Sequence, residues 1–216
     1  HCFQKDRRNL TNLGNIKIEF GNAAWPQSLQ LKSPKFYVPN HIAHARIEMM
    51  FFDIQIIKLE NRINDIDPVL LLRDFDENQE LVSFTLRNED KQRLPEPHFY
   101  HEKCTKIHIR TGKWCMQQII DTLPYPGSEE ELLQLEKDIW NLPSSTLPML
   151  CTTEYETIQG ESGGPLVQKL SSGKWAVVGI VSGVLKDDAK PSKDFVISRF
   201  TSTVGYFDWI KSIIDQ

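Results

Sequence analysis

Gly160-Glu161-Ser162-Gly163-Gly164-Pro165-Leu166-Val167 sets a serine between glycines directly in front of an apolar run. Glycine reaches backbone conformations and close approaches that a Cβ forbids, so the stretch reads as a sharp turn feeding a strand. It also has a chemical reading. Attack on an amide carbonyl needs a hydroxyl held at a surface, with backbone N–H groups converging on the oxyanion that forms. Ser162 supplies the hydroxyl, and the Gly160 and Ser162 amides are the candidate donors.

Working outward from this turn, short strand-like runs dominate. Asn15 to Phe20 alternates Ile16, Ile18 and Phe20 with Lys17 and Glu19, the period of a half-buried strand. Asp53–Leu59, Val69–Leu72, Glu80–Leu86, Thr105–Arg110, Pro165–Leu170, Lys174–Val184 and Phe195–Phe200 are further candidates, bounded by Gly, Pro, Asn or Asp. Many short strands without regularly interposed helices predict an all-β sandwich or barrel. Two segments depart from this pattern. Ser128-Glu129-Glu130-Glu131 forms a capping box ahead of Leu132, Leu135, Ile139 and Trp140, and Pro124, Pro126 and Gly127 before it read as a loop between two halves of the fold. At the end of the chain Phe207, Ile210, Ile213 and Ile214 recur at the spacing of a closing helix.

The 216 residues suffice for a sizeable core. Lys and Arg total 25 against 29 Asp and Glu, with no block of one sign, which argues against nucleic acid and anionic membrane surfaces as partners. The most apolar stretch, Met49 to Leu59, is interrupted by Asp53, Gln55 and Lys58, so membrane insertion is not expected. Cys2, Cys104, Cys115 and Cys151 show no CxxC pair and no spacing typical of a metal site. Disulfides in an oxidising compartment are the favoured use, with buried thiols as the alternative. Asn9-Leu10-Thr11 is an acceptor triplet for glycosylation in a secreted protein.

In this setting GESGGPLV resembles the nucleophile motif GDSGGPLV of the chymotrypsin/trypsin family of serine proteases, agreeing at seven of eight positions. The resemblance extends upstream. Asp53-Ile54-Gln55-Ile56-Ile57-Lys58-Leu59 resembles the family's DIALLKL segment, and His1-Cys2 the end of its TAAHC segment, with gaps of 52 and 109 residues between His1, Asp53 and Ser162. The residues around Asp53 support a special role independently. Phe51, Phe52, Ile54, Ile56 and Ile57 make a wet setting improbable, and a shielded carboxylate needs a hydrogen-bonding partner. Met149-Leu150-Cys151 resembles the MICA segment, Trp175 to Ser182 the strand that binds substrate backbone, and Phe195 to Ile210 the VYTRVSxYxxWI ending.

What the resemblance implies is an all-β fold of two six-stranded antiparallel β-barrels closed by a C-terminal helix. The remainder of an incomplete first barrel falls at about 1–100 and the second barrel at about 101–216 of one protease domain. It further implies a secreted serine endopeptidase made as a zymogen, with His1, Asp53 and Ser162 as catalytic triad and Gly160 and Ser162 as oxyanion hole. Glu156, Gln159, Ser182, Gly183 and Val184 would contact substrate, and no cofactor or metal is called for. Expected partners are a peptide or protein substrate and a protein protease inhibitor. Four departures sustain an alternative, a catalytically inactive homologue acting as a binding or regulatory module. Glu161 replaces the aspartate that receives the new N-terminus on activation. Ile158 and Gln168 stand where the family has cysteines, which leaves Cys104 or Cys115 to pair with Cys151. Val184, and a bulky wall expected near Phe195, narrow the primary pocket over Glu156. The segment preceding the triad histidine is missing before His1, and the isolated piece is expected to be poorly active.

Overall fold

The computed structural model describes residues 17–22, 25–30, 35–39, 53–59, 61, 63, 67–76, 78–87, 101–110, 112–122, 130, 137, 149–158, 161–186 and 196–215. The chain divides into two compact units, His1–Pro68 with Trp209–Gln216, and Val69–Asp208.

In the first unit, β1 (Lys17–Asn22) pairs antiparallel with β2 (Trp25–Gln30), from Lys17 opposite Gln30 to Asn22 opposite Trp25. The expected strand at Asn15–Phe20 is thus present, displaced toward its C-terminus. A separate ladder joins β3 (Lys35–Tyr37) to β4 (Ile56–Lys58), the core of the expected Asp53–Leu59 run. Ile54 and Pro39 are buried beside it.

The second unit is built on one sheet. β6 (Leu81–Arg87), β7 (His101–Ile107), β8 (Met149–Thr152), β9 (Pro165–Lys169), β10 (Trp175–Lys186) and β11 (Val196–Ser202) follow the antiparallel path β7-β6-β9-β10-β11-β8. The short β5 (Leu70–Leu71) adds to β10 in parallel. β10 bends through two register shifts, at Val177/Gly179 against β9 and at Val181/Gly183 against β11. Bulges of this kind sharpen strand twist and curl a sheet toward closure. The two ends of the path meet where Arg110, just past β7, forms a bridge with Cys151 of β8, its amide 2.7 Å from the Cys151 carbonyl. Inside the curl, Leu81, Ile107, Leu166, Val178, Val181 and Phe200 form the centre of a buried cluster. Their alternation along each strand is what aims them at one face.

The described residues therefore form a chymotrypsin-like sheet with two small ladders, and no fully closed double barrel. Among the described residues the first half contributes two separate two-stranded ladders.

Helix α1 (Gly112–Thr122) is not among the elements expected from the sequence. It has no acidic residue in its first turn and no basic residue in its last, so the usual end signals are missing. Tertiary anchors hold it instead. Cys115 is fully buried and joined by a disulfide to Cys151 of β8, with 5.7 Å between the Cα atoms, which decides between the two expected partners. Cys104 on β7 is exposed and not disulfide-bonded. Of the expected helix around Leu132 to Trp140, only Glu130 and Lys137 are described, both helical; Leu132, Leu135, Ile139 and Trp140 lie outside the described residues.

The closing helix α2 (Phe207–Ile214) is present, with Asp208 in its first turn and Lys211 in its last. Arg73 fastens its start by an ion pair to Asp208 at 2.9 Å and by lying 4.7 Å above the Phe207 ring. Ile210 and Ile213 are buried as expected, whereas Ile214 is exposed. One helical stripe is only about 100° wide, so adjacent positions divide between core and solvent.

Candidate active site

The turn that carries Ser162 is defined by its backbone. The Gly163 amide donates to the Val181 carbonyl at 2.8 Å, and the Val181 amide returns a bond to Gly164 at 2.8 Å. The Gly164 amide closes the turn onto the Glu161 carbonyl at 3.0 Å. Gly163 has φ +87°, a conformation costly to a residue with a side chain. At Gly164 a Cβ would lie 3.0 Å from the Glu161 carbonyl oxygen and 3.1 Å from that of Phe84. Gly163 and Gly164 are thus both required, the first by conformation and the second by space. Ser162 is half-buried at the tip, where β9 begins.

Glu161 is 3% exposed, and its carboxylate is held inside the fold. Its Oε2 accepts the Tyr155 hydroxyl at 2.7 Å and the Ile158 amide at 3.0 Å, while the Glu161 amide donates to the Ile158 carbonyl at 3.2 Å. One side chain thereby ties Tyr155 and Ile158 to Glu161. Nothing in the sequence pattern distinguished Tyr155 as its partner.

The same loop is attached to β11 by Ser198. Its Oγ donates to the Tyr155 carbonyl at 2.5 Å and accepts from the Thr157 amide at 2.8 Å. Ser198 is the residue paired with Val184 across β10 and β11. Phe195 itself lies outside the described residues.

The other expected site residues are distributed as follows. Glu156 is exposed between the buried Tyr155 and Thr157; Ser182 is buried, and Gly183 and Val184 are half-buried on β10. Asp53 is half-buried immediately before Ile54 in the first unit. His1, Gln159 and Gly160 lie outside the described residues. Below the loop, Glu154 accepts the His108 amide at 3.0 Å and faces its ring Nδ1 at 3.2 Å. The His108 backbone donor is the main cause holding the Glu154 carboxyl below its ordinary value of 4.5; burial opposes it, and the His108 side chain and Arg110 lower it further. Burial pushes the Tyr206 phenol well above its usual range.

A sharply turned serine at the head of a strand, hydrogen-bonded to a bent antiparallel sheet, is the framework of a divergent trypsin/chymotrypsin-like serine protease domain, and this chain carries one. Residues 124–210 match the family described as Trypsin. Transmembrane protease serine 11G of Mus musculus is 34% identical over 222 residues, and that of Rattus norvegicus 29% identical over 222 residues, in each case across 98% of this chain and 45% of the relative. The chain thus spans a little under half the length of these curated relatives. Among solved structures, neuropsin, a serine protease expressed in the limbic system of mouse brain, superposes with a TM-score of 0.53 at 20% identity, over 88% of this chain and 73% of that one. This last likeness is one of fold. Among the described residues no helix is long and apolar enough to cross a membrane.

Proposed function

We propose that the protein to which this chain belongs is a secreted serine endopeptidase whose nucleophile is Ser162. The observation that carries the reading is the Ser162 turn itself: a half-buried hydroxyl on a glycine-dependent turn, hydrogen-bonded to the bulged strand β10. In this reading His1 takes the Ser162 proton as the hydroxyl attacks the scissile carbonyl, and Asp53 orients the imidazole. The oxyanion rests on the Gly160 and Ser162 amides, the imidazolium protonates the leaving amine, and water releases the acyl group by the same steps in reverse. The chemistry as drawn uses no metal or organic cofactor. Gln159, Ser182, Gly183 and Val184 line the bound peptide, with Glu156 beneath the primary pocket. Residues 1–100 and 101–216 then contribute to two barrels of one domain, made as a zymogen and open to a protein inhibitor.

A second reading, a catalytically silent homologue that binds protein partners, draws on Glu161. Its carboxylate already accepts Tyr155 and Ile158, whereas the family motif reserves this position for an N-terminal amine released on activation. An active-site fluorophosphonate separates the two readings. Labelling of Ser162 in the full-length protein, abolished by Ser162→Ala, together with turnover of a peptide library, is expected for the endopeptidase. Peptide binding without labelling, after treatment with an activating protease, would establish the silent module.

A further inference from the structure

We infer that Arg199 is a specificity determinant that selects an acidic side chain in the peptide bound along β10, an inference that rests on the peptide-binding reading above. The backbone first defines the place. β10 pairs with β9 only as far as Ile180, where it faces Pro165, but its ladder with β11 continues through Lys186. From Ser182 to Lys186 no strand among the described residues pairs with the other edge of β10. An extended peptide can add there as a further strand, presenting alternate side chains to each face.

The bulge then decides what such a peptide meets. Val181 lies opposite Phe200 and both belong to the buried cluster, whereas beyond the shift Gly183 lies opposite Arg199. Directly opposed residues share a face and successive residues alternate, so Arg199 rises on the face away from the Phe200 core. A Cβ built on Gly183 would stand 3.3 Å from a terminal nitrogen of the Arg199 guanidinium, the one heavy atom within 4 Å among the described residues other than its chain neighbours. The missing side chain at 183 is therefore the space into which the cation projects. Arg199 is only 9% exposed, so its charge sits largely out of water, where charge-assisted hydrogen bonds are strongest. A guanidinium carries five N–H donors in a rigid fork, so engaging a group of the fold and a substrate carboxylate together is within its geometry.

The test compares peptides that differ only by Glu or Gln at each position upstream of the scissile bond. At one such position the full-length enzyme should favour Glu over Gln by about tenfold or more in kcat/KM. Arg199→Met keeps the apolar stem and should bring that ratio to about one, whatever its effect on absolute rate. Arg199→Lys should retain part of it, and Gly183→Ala, which crowds the guanidinium, should lower it. A wild-type ratio near one at every position, or a ratio unchanged in Arg199→Met, overturns the inference. Equilibrium binding of the same peptides to Ser162→Ala protein, followed by fluorescence anisotropy, reads the preference without turnover. A Glu preference in binding with no acylation of the wild type would defeat the hydrolase reading and leave the Arg199 site standing. Acylation without the preference would do the reverse.

Discussion

Replacing Glu161 by the aspartate found in the family motif is the sharpest perturbation of the site framework. The carboxylate now reaches Tyr155 Oη at 2.7 Å and the Ile158 amide at 3.0 Å from a residue that is 3% exposed. Removing one methylene withdraws it by roughly 1.5 Å, a carbon–carbon bond length, which carries both contacts beyond hydrogen-bonding range unless the backbone follows. The buried Tyr155 hydroxyl and the part-buried Ile158 amide would then lack this acceptor, at about 1–3 kcal/mol each before relaxation, so we expect a net loss of about 2–4 kcal/mol. With a urea m-value of about 2 kcal/mol/M, the unfolding midpoint should fall by about 1–2 M. Glu161→Gln keeps the reach and loses only the charge, and should cost about 1 kcal/mol. Urea titration of the full-length protein, followed by tryptophan fluorescence, measures both. A midpoint for Glu161→Asp equal to wild type, or greater damage from Gln than from Asp, would refute the claim that side-chain length at 161 secures the loop.

Gly164→Ala must displace one of two backbone oxygens at 3.0 and 3.1 Å. It is expected to cost about 1–3 kcal/mol and to slow fluorophosphonate labelling by shifting the Ser162 turn, whereas unchanged labelling and stability would contradict the packing described. Gly163→Ala, at φ +87°, should cost about 1–2 kcal/mol through backbone strain alone, read as a midpoint shift in the same titration. Replacing Cys115 and Cys151 together by alanine opens a link of sequence separation 36, for which loop entropy predicts a loss of about 3–4 kcal/mol; the difference should vanish when the wild type is measured under reducing conditions. Because the Glu154 carboxyl is held below 4.5 in the folded state, its contribution to stability is complete above that value and fades as pH falls through the lower, folded-state value. The Glu154 side chain is 52% exposed, so solvent screening keeps the effect well below about 1 kcal/mol. Glu154→Gln should flatten the stability profile slightly on the acid side of 4.5, and an unaltered profile would deny the bond to His108 any role.

Much of this protein could be read from residue order because the relevant forces act locally. Alternation at Glu80–Leu86 and Pro165–Leu170, the glycines around Ser162 and the apolar spacing of Phe207 to Ile213 each specify a strand, a turn or a helix within a few residues, and the structure contains all of them with ends shifted by a residue or two. Helix α1 was not legible, because its ends carry no charge signals and its anchor is Cys151, 36 residues away. Register was equally hidden. Whether Val184 faces Ser198 or a residue nearer Phe195 depends on a bulge and on the connection between two strands, and a single slip would send Arg199 to the other face. Local chemistry in the chain thus specified most of the strands, the closing helix and the glycine-bounded turn at Ser162. Tertiary pairing alone determined that Tyr155 and Ile158 hold Glu161 and that Gly183 lies beneath Arg199, because contacts between distant residues arise only when the sheet has chosen its register.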